Sequence, residues 1–406
     1  MDKIRLWLNA RYQTIVTSIA FIPGLISLGF IVLAGLVLTF DFSEAGQQIK
    51  SDIPWLAIQD PSTARSILGA IAGGIISLTV FSFSMVMIVL SQAASQMSNR
   101  VLDKLIGNRF QQSVLGIYIG TIIYTFFLFS TIREQADSFQ IPSLSIFLLT
   151  IITVLDIFIF IYFLHYITQS VKYNVIIDRI KSTTFHGMKR FCTAKTEVGQ
   201  QSNFAALSLI RASRSGVFEG FDTKKIKDFL SKNECSMLSI YPMGTYILRG
   251  QPILKCSRIL DEAQSEKALL GIILSDQESI ERNNEYGYRQ LSEIALKALS
   301  PGINDPGTAI ISFRALIDLL GFRAMHFPPS TIAQEKIPFA IHCNELSFEE
   351  LFEQAVYPIW DYGKEDRMLR QEFKLLLGQL TIVIASSSVT ALIQEVEKKI
   401  AEETAH

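Results

Sequence analysis

The sequence predicts an α-helical membrane domain with four transmembrane helices, followed by an α+β cytoplasmic domain with a small β module and a helical remainder. Two observations support this fold class. The 406 residues are 49% hydrophobic and only 18% charged, which is more apolar than an average soluble protein. Residues 1–170 also contain only 9 of the 37 Lys and Arg and 9 of the 38 Asp and Glu residues. The first part therefore has the composition of a membrane domain, and the rest that of a soluble one.

Four long stretches with few charges predict the spanning helices, because a helix needs about 20 apolar residues to cross the hydrocarbon core. We expect these helices over residues 14–40, 66–92, 112–132 and 143–169. Short flanks rich in Lys and Arg remain in the cytoplasm. Such flanks precede the first helix, join the second to the third and follow the fourth. The sequence therefore predicts a multi-pass protein of the plasma (inner) membrane with both termini in the cytoplasm.

The chain after the membrane domain (1–170) divides into three predicted segments. Apolar residues at near-helical spacing predict a helical stalk over 171–200 that continues the fourth helix. Short apolar runs between turn residues predict a β-containing module over 201–275, with strands at 237–240, 245–248, 253–256 and 270–274. Helical periodicity returns in a module over 276–406, where we expect two or three helices after Leu346.

A stripe of serines follows one face of the second predicted helix. Ser77, Ser84 and Ser91 recur every seven residues, a spacing that keeps them on the same side of a helix. Such a face is typical of a water-filled path, but small residues also allow transmembrane helices to pack closely. Gly69-x3-Gly73 and Gly116-x3-Gly120 suit that second role. Both interpretations of the serines remain open.

Asp156 lies near the middle of the fourth predicted helix, and the other three contain no Lys or Arg to pair with it. Intramembrane carboxylates are rare and usually face the helix bundle or an aqueous cavity. Asp156 is therefore a candidate to line a pore, with an interhelical hydrogen bond as the structural alternative. The candidate partners for that bond are Ser77, Ser84, Thr121 and Tyr124. His165, nearer the helix end, is either an interfacial anchor or a second pore-lining group.

The most distinctive local sequence is ALSPGINDPGTA, residues 298–309. Asp is a favoured N-cap and Pro a favoured first helical residue, so Asp305 should cap a helix that begins at Pro306. A helix start flanked by glycines can bind an anion or a nucleotide, but the same residues also suit a rigid turn between two helices. A P-loop is excluded because no lysine follows the second glycine. The candidate ligand-binding residues are Gly302, Asn304, Asp305, Gly307 and Thr308.

This motif resembles a bacterial family of predicted four-helix membrane proteins, domain of unknown function 2254. Further resemblance lies in residues 163–165 (FLH), 81–82 (FS) and 92–96 (QAASQ), so that it extends over nearly the whole chain. The resemblance implies a layout of four membrane helices and a cytoplasmic domain. It implies no particular activity.

No catalytic constellation appears, and the histidines and cysteines lack the spacing of a metal site; we therefore expect no enzyme and no bound metal. The sequence does not identify a cofactor. We expect an ion channel or transporter gated by its cytoplasmic domain. The alternative is a membrane-anchored cytoplasmic ligand sensor or scaffold without transport. Expected partners are the lipid bilayer, further copies of the chain in a homo-oligomer, and a permeant ion or small cytoplasmic ligand. The net charge of −1 gives no indication of nucleic-acid binding.

Overall fold

The computed structural model describes residues 18, 20–58, 60–96, 109–132, 141–192, 204, 206–276, 278–334 and 337–404. The chain divides into two compact units, Met1–Lys172 and Tyr173–His406, which we term the N-terminal unit and the C-terminal unit. The basic flanks at positions 3–11, 100 and 104, which carry part of the orientation argument, lie outside the described residues.

The described N-terminal unit consists of helices. Four of them are long and apolar enough to cross a membrane, which confirms the predicted spans as helices. The second predicted span begins earlier than expected, because the Asp60 carboxylate accepts hydrogen bonds from the backbone N–H groups of Ser62 and Thr63 and caps the helix at Pro61. Residues 14–17 and 19 of the first predicted span lie outside the described residues. The helices are α1 (Phe21–Asp41), α2 (Glu44–Asp52), α3 (Pro61–Gln96), α4 (Arg109–Thr131) and α5 (Ser143–Ser170), with a short 3-10 helix at Pro54–Leu56.

Two glycines allow α4 to approach α1 closely. A Cβ atom at Gly116 would lie 2.9 Å from atoms of Pro23 and Ile26, and one at Gly120 would overlap the ring of Phe30. The packing role of Gly116-x3-Gly120 is therefore confirmed. The other pair behaves differently, since within the described part of the chain no heavy atom of another helix lies within 4 Å of the Cβ positions at Gly69 or Gly73.

Asp41 ties the end of α1 to the start of α5. Its side chain is 0% exposed, and its carboxylate accepts hydrogen bonds from the Ser145 backbone N–H at 2.7 Å and the Ser145 hydroxyl at 2.8 Å. Lys50 of α2 donates to the same carboxylate at 2.9 Å. The N-cap residue of α5, Pro142, makes no side-chain capping hydrogen bond, and Asp41 supplies the negative charge that a helix N-terminus favours.

The C-terminal unit combines two sheets with helices. The larger sheet has the order β1-β5-β3-β8-β7 and the smaller one the order β4-β2-β6. All pairs are antiparallel except β3 with β8. The strands are β1 (Ser208–Arg211), β2 (Gly216–Phe221), β3 (Met237–Ser239), β4 (Tyr246–Ile247), β5 (Pro252–Cys256), β6 (Ile272–Ser275), β7 (Thr331–Gln334) and β8 (Ile337–His342). The helices are α6 (Tyr173–Phe191), α7 (Thr223–Asn233), α8 (Glu262–Leu269), α9 (Glu285–Leu299), α10 (Pro306–Met325), α11 (Phe348–Gly363), α12 (Arg367–Val383) and α13 (Ser387–Thr404).

The expected continuation of the fourth helix into a stalk is interrupted. Helix α5 ends at Ser170, and α6 begins three residues later as an amphipathic helix of the C-terminal unit. It packs on α9 at two glycines, because a Cβ at Gly187 would overlap Asn284 and one at Gly287 would overlap Thr184. Residues 193–200 of the predicted stalk lie outside the described residues.

Strands occur at each of the four predicted positions, and the three helices α11 to α13 follow Leu346 as expected. The sequence analysis missed β1, β2 and the hairpin of β7 and β8 in the predicted helical remainder. Strand β8 pairs in parallel with β3, Met237 opposite Ile341. The larger sheet thus joins segments about a hundred residues apart, and such a long-range pairing leaves no local sequence pattern.

Candidate functional sites in the two units

Asp156 is buried at the centre of the N-terminal helix bundle. Its side chain is 0% exposed, and neither carboxylate oxygen has a hydrogen-bond partner among the described residues. The Ser82 hydroxyl of α3 and the Tyr118 hydroxyl of α4 are likewise buried and, within the described chain, unpartnered. Three helices therefore each contribute a polar group that the fold does not satisfy.

These groups form one cluster. Tyr118 lies beside Ser82 and within electrostatic range of Asp156, and Thr121 is the hydroxyl neighbour of Asp156. The Thr121 hydroxyl donates to the Ile117 carbonyl at 3.1 Å, so its proton is already used within α4. We term Ser82, Tyr118, Thr121 and Asp156 the buried polar cluster. Burying such groups without partners is costly in free energy, and in membrane proteins groups of this kind mark ion and proton pathways.

A cavity of about 230 Å³ adjoins the buried polar cluster. It lies between α3 and α4, with Ser82 and Tyr118 in its wall, and reaches Gln111 and Gln112 in the first turn of α4. Phe163 of α5 also lines it. The cavity thus leads from the cluster toward the end of the bundle where α4 begins.

The predicted pore-lining residues do not form one site within the described part of a single chain. Ser77, Ser84, Ser91 and His165 are exposed on the outside of the bundle, whereas Asp156 lies inside it. Ser77 donates to the Gly73 carbonyl of its own helix. Of the four suggested partners of Asp156, only Thr121 is its neighbour; the Tyr124 hydroxyl donates to the Ser145 carbonyl instead. The sequence analysis missed Ser82 and Tyr118, which do not belong to the seven-residue repeat.

The motif at residues 298–309 folds as a capped turn between α9 and α10. Helix α10 begins at Pro306, as predicted, and the Asp305 carboxylate accepts from the Thr308 N–H at 3.0 Å and from the Thr308 hydroxyl at 2.6 Å. Asn304 adopts the left-handed conformation with φ 49°. Gly302 and Gly307 lie exposed. Because both carboxylate oxygens of Asp305 serve the cap, the structural role is observed, and ligand binding by these residues stays a prediction.

A cavity of about 390 Å³ lies within the C-terminal unit, where β2, β3 and β6 meet the helices α6, α9, α10 and α11. The sequence analysis did not predict it. Apolar side chains form much of its wall, including Phe218, Phe221, Met243, Ile273 and Leu351. The polar side chains in its wall include Glu219, Asn283, Glu285, Arg323 and Glu345.

Two of these charged side chains already have partners. Glu219 accepts from the Ser279 N–H at 2.8 Å and from Arg282 at 3.0 Å. Arg323 donates to the backbone carbonyls of Leu346 at 2.9 Å and His326 at 3.4 Å. Glu219 and Arg323 therefore already form hydrogen bonds with other residues of the protein.

Glu285 and Glu345 differ from Glu219. Glu285 is the first residue of α9, and its Oε2 atom is buried and lacks a hydrogen-bond partner within the described part of the chain. Burial raises the pKa of Glu285 to about 7, although Arg323 and Arg289 oppose this rise. Burial, reinforced by the Glu285 carboxylate, raises the pKa of Glu345 to about 8. Both groups therefore exchange protons near neutral pH.

The thiols near this cavity are unreactive, and the described residues around it do not form a metal site. Burial raises the pKa of Cys343 to about 12 and also raises that of Cys192, so neither is an activated nucleophile. Among the described residues, no group of three or more His, Cys, Asp and Glu side chains could hold a metal ion. The cavity therefore suits binding of an organic ligand better than metal or thiol chemistry.

Comparison with known proteins places the chain among predicted membrane proteins. A family described as predicted membrane protein (DUF2254) matches residues 16–377. The uncharacterized proteins MT1328 of Mycobacterium tuberculosis and Mb1321c of Mycobacterium bovis are each 26% identical over 262 residues, which cover 62% of this chain and 50% of theirs. The chain thus aligns with about half the length of these curated relatives. No solved structure matches it.

Proposed function

The chain belongs to the DUF2254 family of predicted membrane proteins, and on this premise we propose that it is an ion channel or transporter in which Asp156 contacts the moving ion. The observation that carries the proposal is the buried polar cluster, in which three helices present unpartnered polar groups to one another. In this proposal the protein lies in the plasma (inner) membrane. Both termini and the C-terminal unit are cytoplasmic, and several copies of the chain assemble.

The energetics favour a functional role for Asp156. Placing a carboxylate at the centre of a membrane helix costs about 2.5–3.5 kcal/mol on insertion scales. A side chain kept only to join helices would be expected to recover part of this cost through hydrogen bonds, as Asp41 does with Ser145 and Lys50. Asp156 recovers little in this way. An ion or proton passing through the adjoining cavity would supply the missing interaction.

The outward serines suggest a second surface for transport. Ser77, Ser84 and Ser91 are exposed on α3, so packing against the other described helices of the chain does not account for them. In a homo-oligomer they could line a shared axis, which is the pore face that the seven-residue repeat predicts. Transport through the single chain and transport along this axis therefore involve different residues.

Ion flux into proteoliposomes that contain the purified protein tests the proposal. We expect Asp156→Asn to reduce flux at least tenfold, because it removes the charge with little change of volume. Thr153→Val is the matched control, since its hydroxyl donates within α5 to the Leu149 carbonyl, and it should retain flux. Ser84→Leu and Ser91→Leu should reduce flux only if the shared axis conducts. No wild-type flux under proton, sodium, potassium or chloride gradients would contradict the proposal.

A membrane-anchored ligand sensor is the second candidate function. The observation that favours it is the 390 Å³ cavity of the C-terminal unit, whose size and apolar wall are typical of small-molecule sites. This function needs the N-terminal unit only as an anchor. Ligand binding to a wild-type protein that shows no flux would favour the sensor, and flux that responds to the ligand would unite both functions.

A further inference from the structure

The carboxyl groups of Glu285 and Glu345 both line the C-terminal cavity. From the arrangement of Glu285 and Glu345 we propose that this cavity binds a small organic cation, with an ammonium group held by the two carboxylates and a short apolar body against the cavity wall. This inference deepens the sensor function. It does not depend on whether the N-terminal unit transports ions.

The hydrogen bonds around Glu285 leave one of its carboxylate oxygens available to a ligand. Glu285 Oε2 is buried and lacks a partner among the described residues, while its backbone N–H is held by the Asn283 side-chain oxygen at 3.0 Å. An ammonium group has three donors and no acceptor. It can therefore satisfy this oxygen and still donate to Glu345 through a charge-assisted hydrogen bond.

The neighbouring arginines act on Glu285 electrostatically but make their hydrogen bonds with other groups, Arg289 with Glu278 at 2.7 Å. Arg323 donates to two backbone carbonyls and lies over the Phe327 ring, 5.5 Å from its centroid. Arg282 is paired with Glu219. An anionic ligand would face two further carboxyl groups that must then stay protonated. The charge balance therefore favours a cation over an anion.

The size of the C-terminal cavity and its apolar wall suit an organic ligand. A volume of about 390 Å³ is within the range of small-molecule sites. Phe218, Met243 and Leu351 offer apolar contacts, which a hydrated inorganic cation would not use. Among the described residues, no three His, Cys, Asp or Glu side chains are grouped so that they could hold a metal ion. These features favour an organic cation.

The raised pKa values of Glu285 and Glu345 make such binding sensitive to pH. An alkylammonium keeps its charge up to about pH 10, whereas the two carboxyl groups ionise near pH 7 and 8. Binding should therefore release protons and tighten as the pH rises. Glu285 faces Arg323, Arg289, Glu278, Glu345, Glu350, Cys192 and Tyr288, and Glu345 faces Glu285, Arg323, Cys343 and Cys192.

Isothermal titration of the full-length protein in detergent tests this inference, with n-butylammonium as the probe. Butan-1-ol and butyrate, which share its apolar body, are the comparison ligands. We expect saturable binding of n-butylammonium alone, with a Kd that falls at least tenfold from pH 6 to pH 8 as Glu285 and Glu345 ionise. Buffers of different ionisation enthalpy should report release of protons on binding.

Variants identify the site. Glu285→Gln and Glu345→Gln should each weaken n-butylammonium binding at least tenfold and reduce the proton release, whereas Glu266→Gln, on the exposed surface of α8, should bind as the wild type does. Butan-1-ol binding as tightly as n-butylammonium, or a wild-type Kd independent of pH, would contradict the inference. Saturable binding by a protein without ion flux would support it and contradict only the transport proposal.

Discussion

Two carboxylates of the N-terminal unit are equally buried, yet their surroundings differ. Asp41, at the end of α1, accepts hydrogen bonds from the Ser145 N–H and hydroxyl and pairs with Lys50. Asp156, in the middle of α5, has no hydrogen-bond partner among the described residues and lies within electrostatic range of Tyr118, which neighbours Ser82. Burial alone therefore does not distinguish a structural carboxylate from a functional one. The distinction lies in how completely the fold satisfies the charge.

This difference predicts opposite consequences of substitution. A carboxylate that is fully hydrogen-bonded contributes stability, and its loss leaves buried donors without acceptors. A carboxylate without partners opposes folding, and its neutralisation removes that cost. In this comparison Asp41 belongs to the first class and Asp156 to the second.

The largest expected effect on stability is that of Asp41→Ala. The substitution removes the carboxylate partner of Lys50, whose Nζ atom then keeps the Asp41 backbone carbonyl, and it removes the cap of α5. It should lower the free energy of unfolding by about 3 kcal/mol, at the low end of the cost of removing one partner of a buried pair. Denaturant unfolding of the purified protein in detergent measures this. Asp52→Ala, at an exposed position at the end of α2, should change stability by less than about 0.5 kcal/mol. Equal effects of the two substitutions would contradict the structural role of Asp41.

The carboxyl groups of the C-terminal cavity extend the comparison to pH. Glu285 and Glu345 have folded-state pKa values of about 7 and 8, above the ordinary value for Glu of about 4.3. The folded state therefore binds more protons than the unfolded state, and stability should fall as the pH rises from about 5 to 8, by at most about 1.4 kcal/mol per pH unit and group. Unfolding midpoints across this range measure the slope.

The double variant E285Q/E345Q should lose most of this pH dependence, because neither side chain then titrates. Glu266→Gln serves again as the control and should keep the wild-type slope. A wild-type protein whose stability increases steadily between pH 5 and pH 8 would contradict the raised pKa values of these two carboxyl groups.

Asp305, like Asp41, has a structural role, because its carboxylate caps the start of α10. Its expected effect on stability is smaller. Asp305→Ala should lower the free energy of unfolding by about 1 kcal/mol, and Asp305→Asn should be nearly neutral because Asn is also a good N-cap. Thermal unfolding of both variants measures the difference. A functional defect of Asp305→Asn at unchanged stability would instead favour a ligand-binding role for this motif.

The smallest effect is expected at the outward serines. Ser84 is exposed on α3, so Ser84→Ala should change the stability of the isolated chain by less than about 0.5 kcal/mol. Cross-linking or mass measurement of the assembled protein shows whether the oligomer depends on this face. A destabilised monomer would contradict its outward position, whereas a loss of oligomers alone would support the shared axis.

The sequence predicted the features that depend on neighbouring residues. Long apolar stretches identified the four helices, and the Asp-Pro pair identified the cap and start of α10. Strands β3 to β6 followed from apolar runs between turn residues. In each case the physical cause acts over a few positions, so it is visible in the sequence.

The features that the sequence did not reveal depend on distant contacts. Asp41 finds its partner Ser145 more than a hundred residues away, and Glu285 and Glu345 come from separate segments that line one cavity. Ser82, unlike the serines of the seven-residue repeat, faces the bundle because of the way α3 packs against α4. Single residues such as these form no periodic sequence pattern, so their contacts become visible only in the folded structure.

The measurement that tests the central claim most directly combines stability and ion flux for Asp156→Asn in one preparation. Asn has the size of Asp but no charge, so the account predicts a free energy of unfolding equal to or above that of the wild type, together with flux reduced at least tenfold. Loss of about 1 kcal/mol or more of stability with flux unchanged would contradict it. Asp156 would then be a structural carboxylate like Asp41.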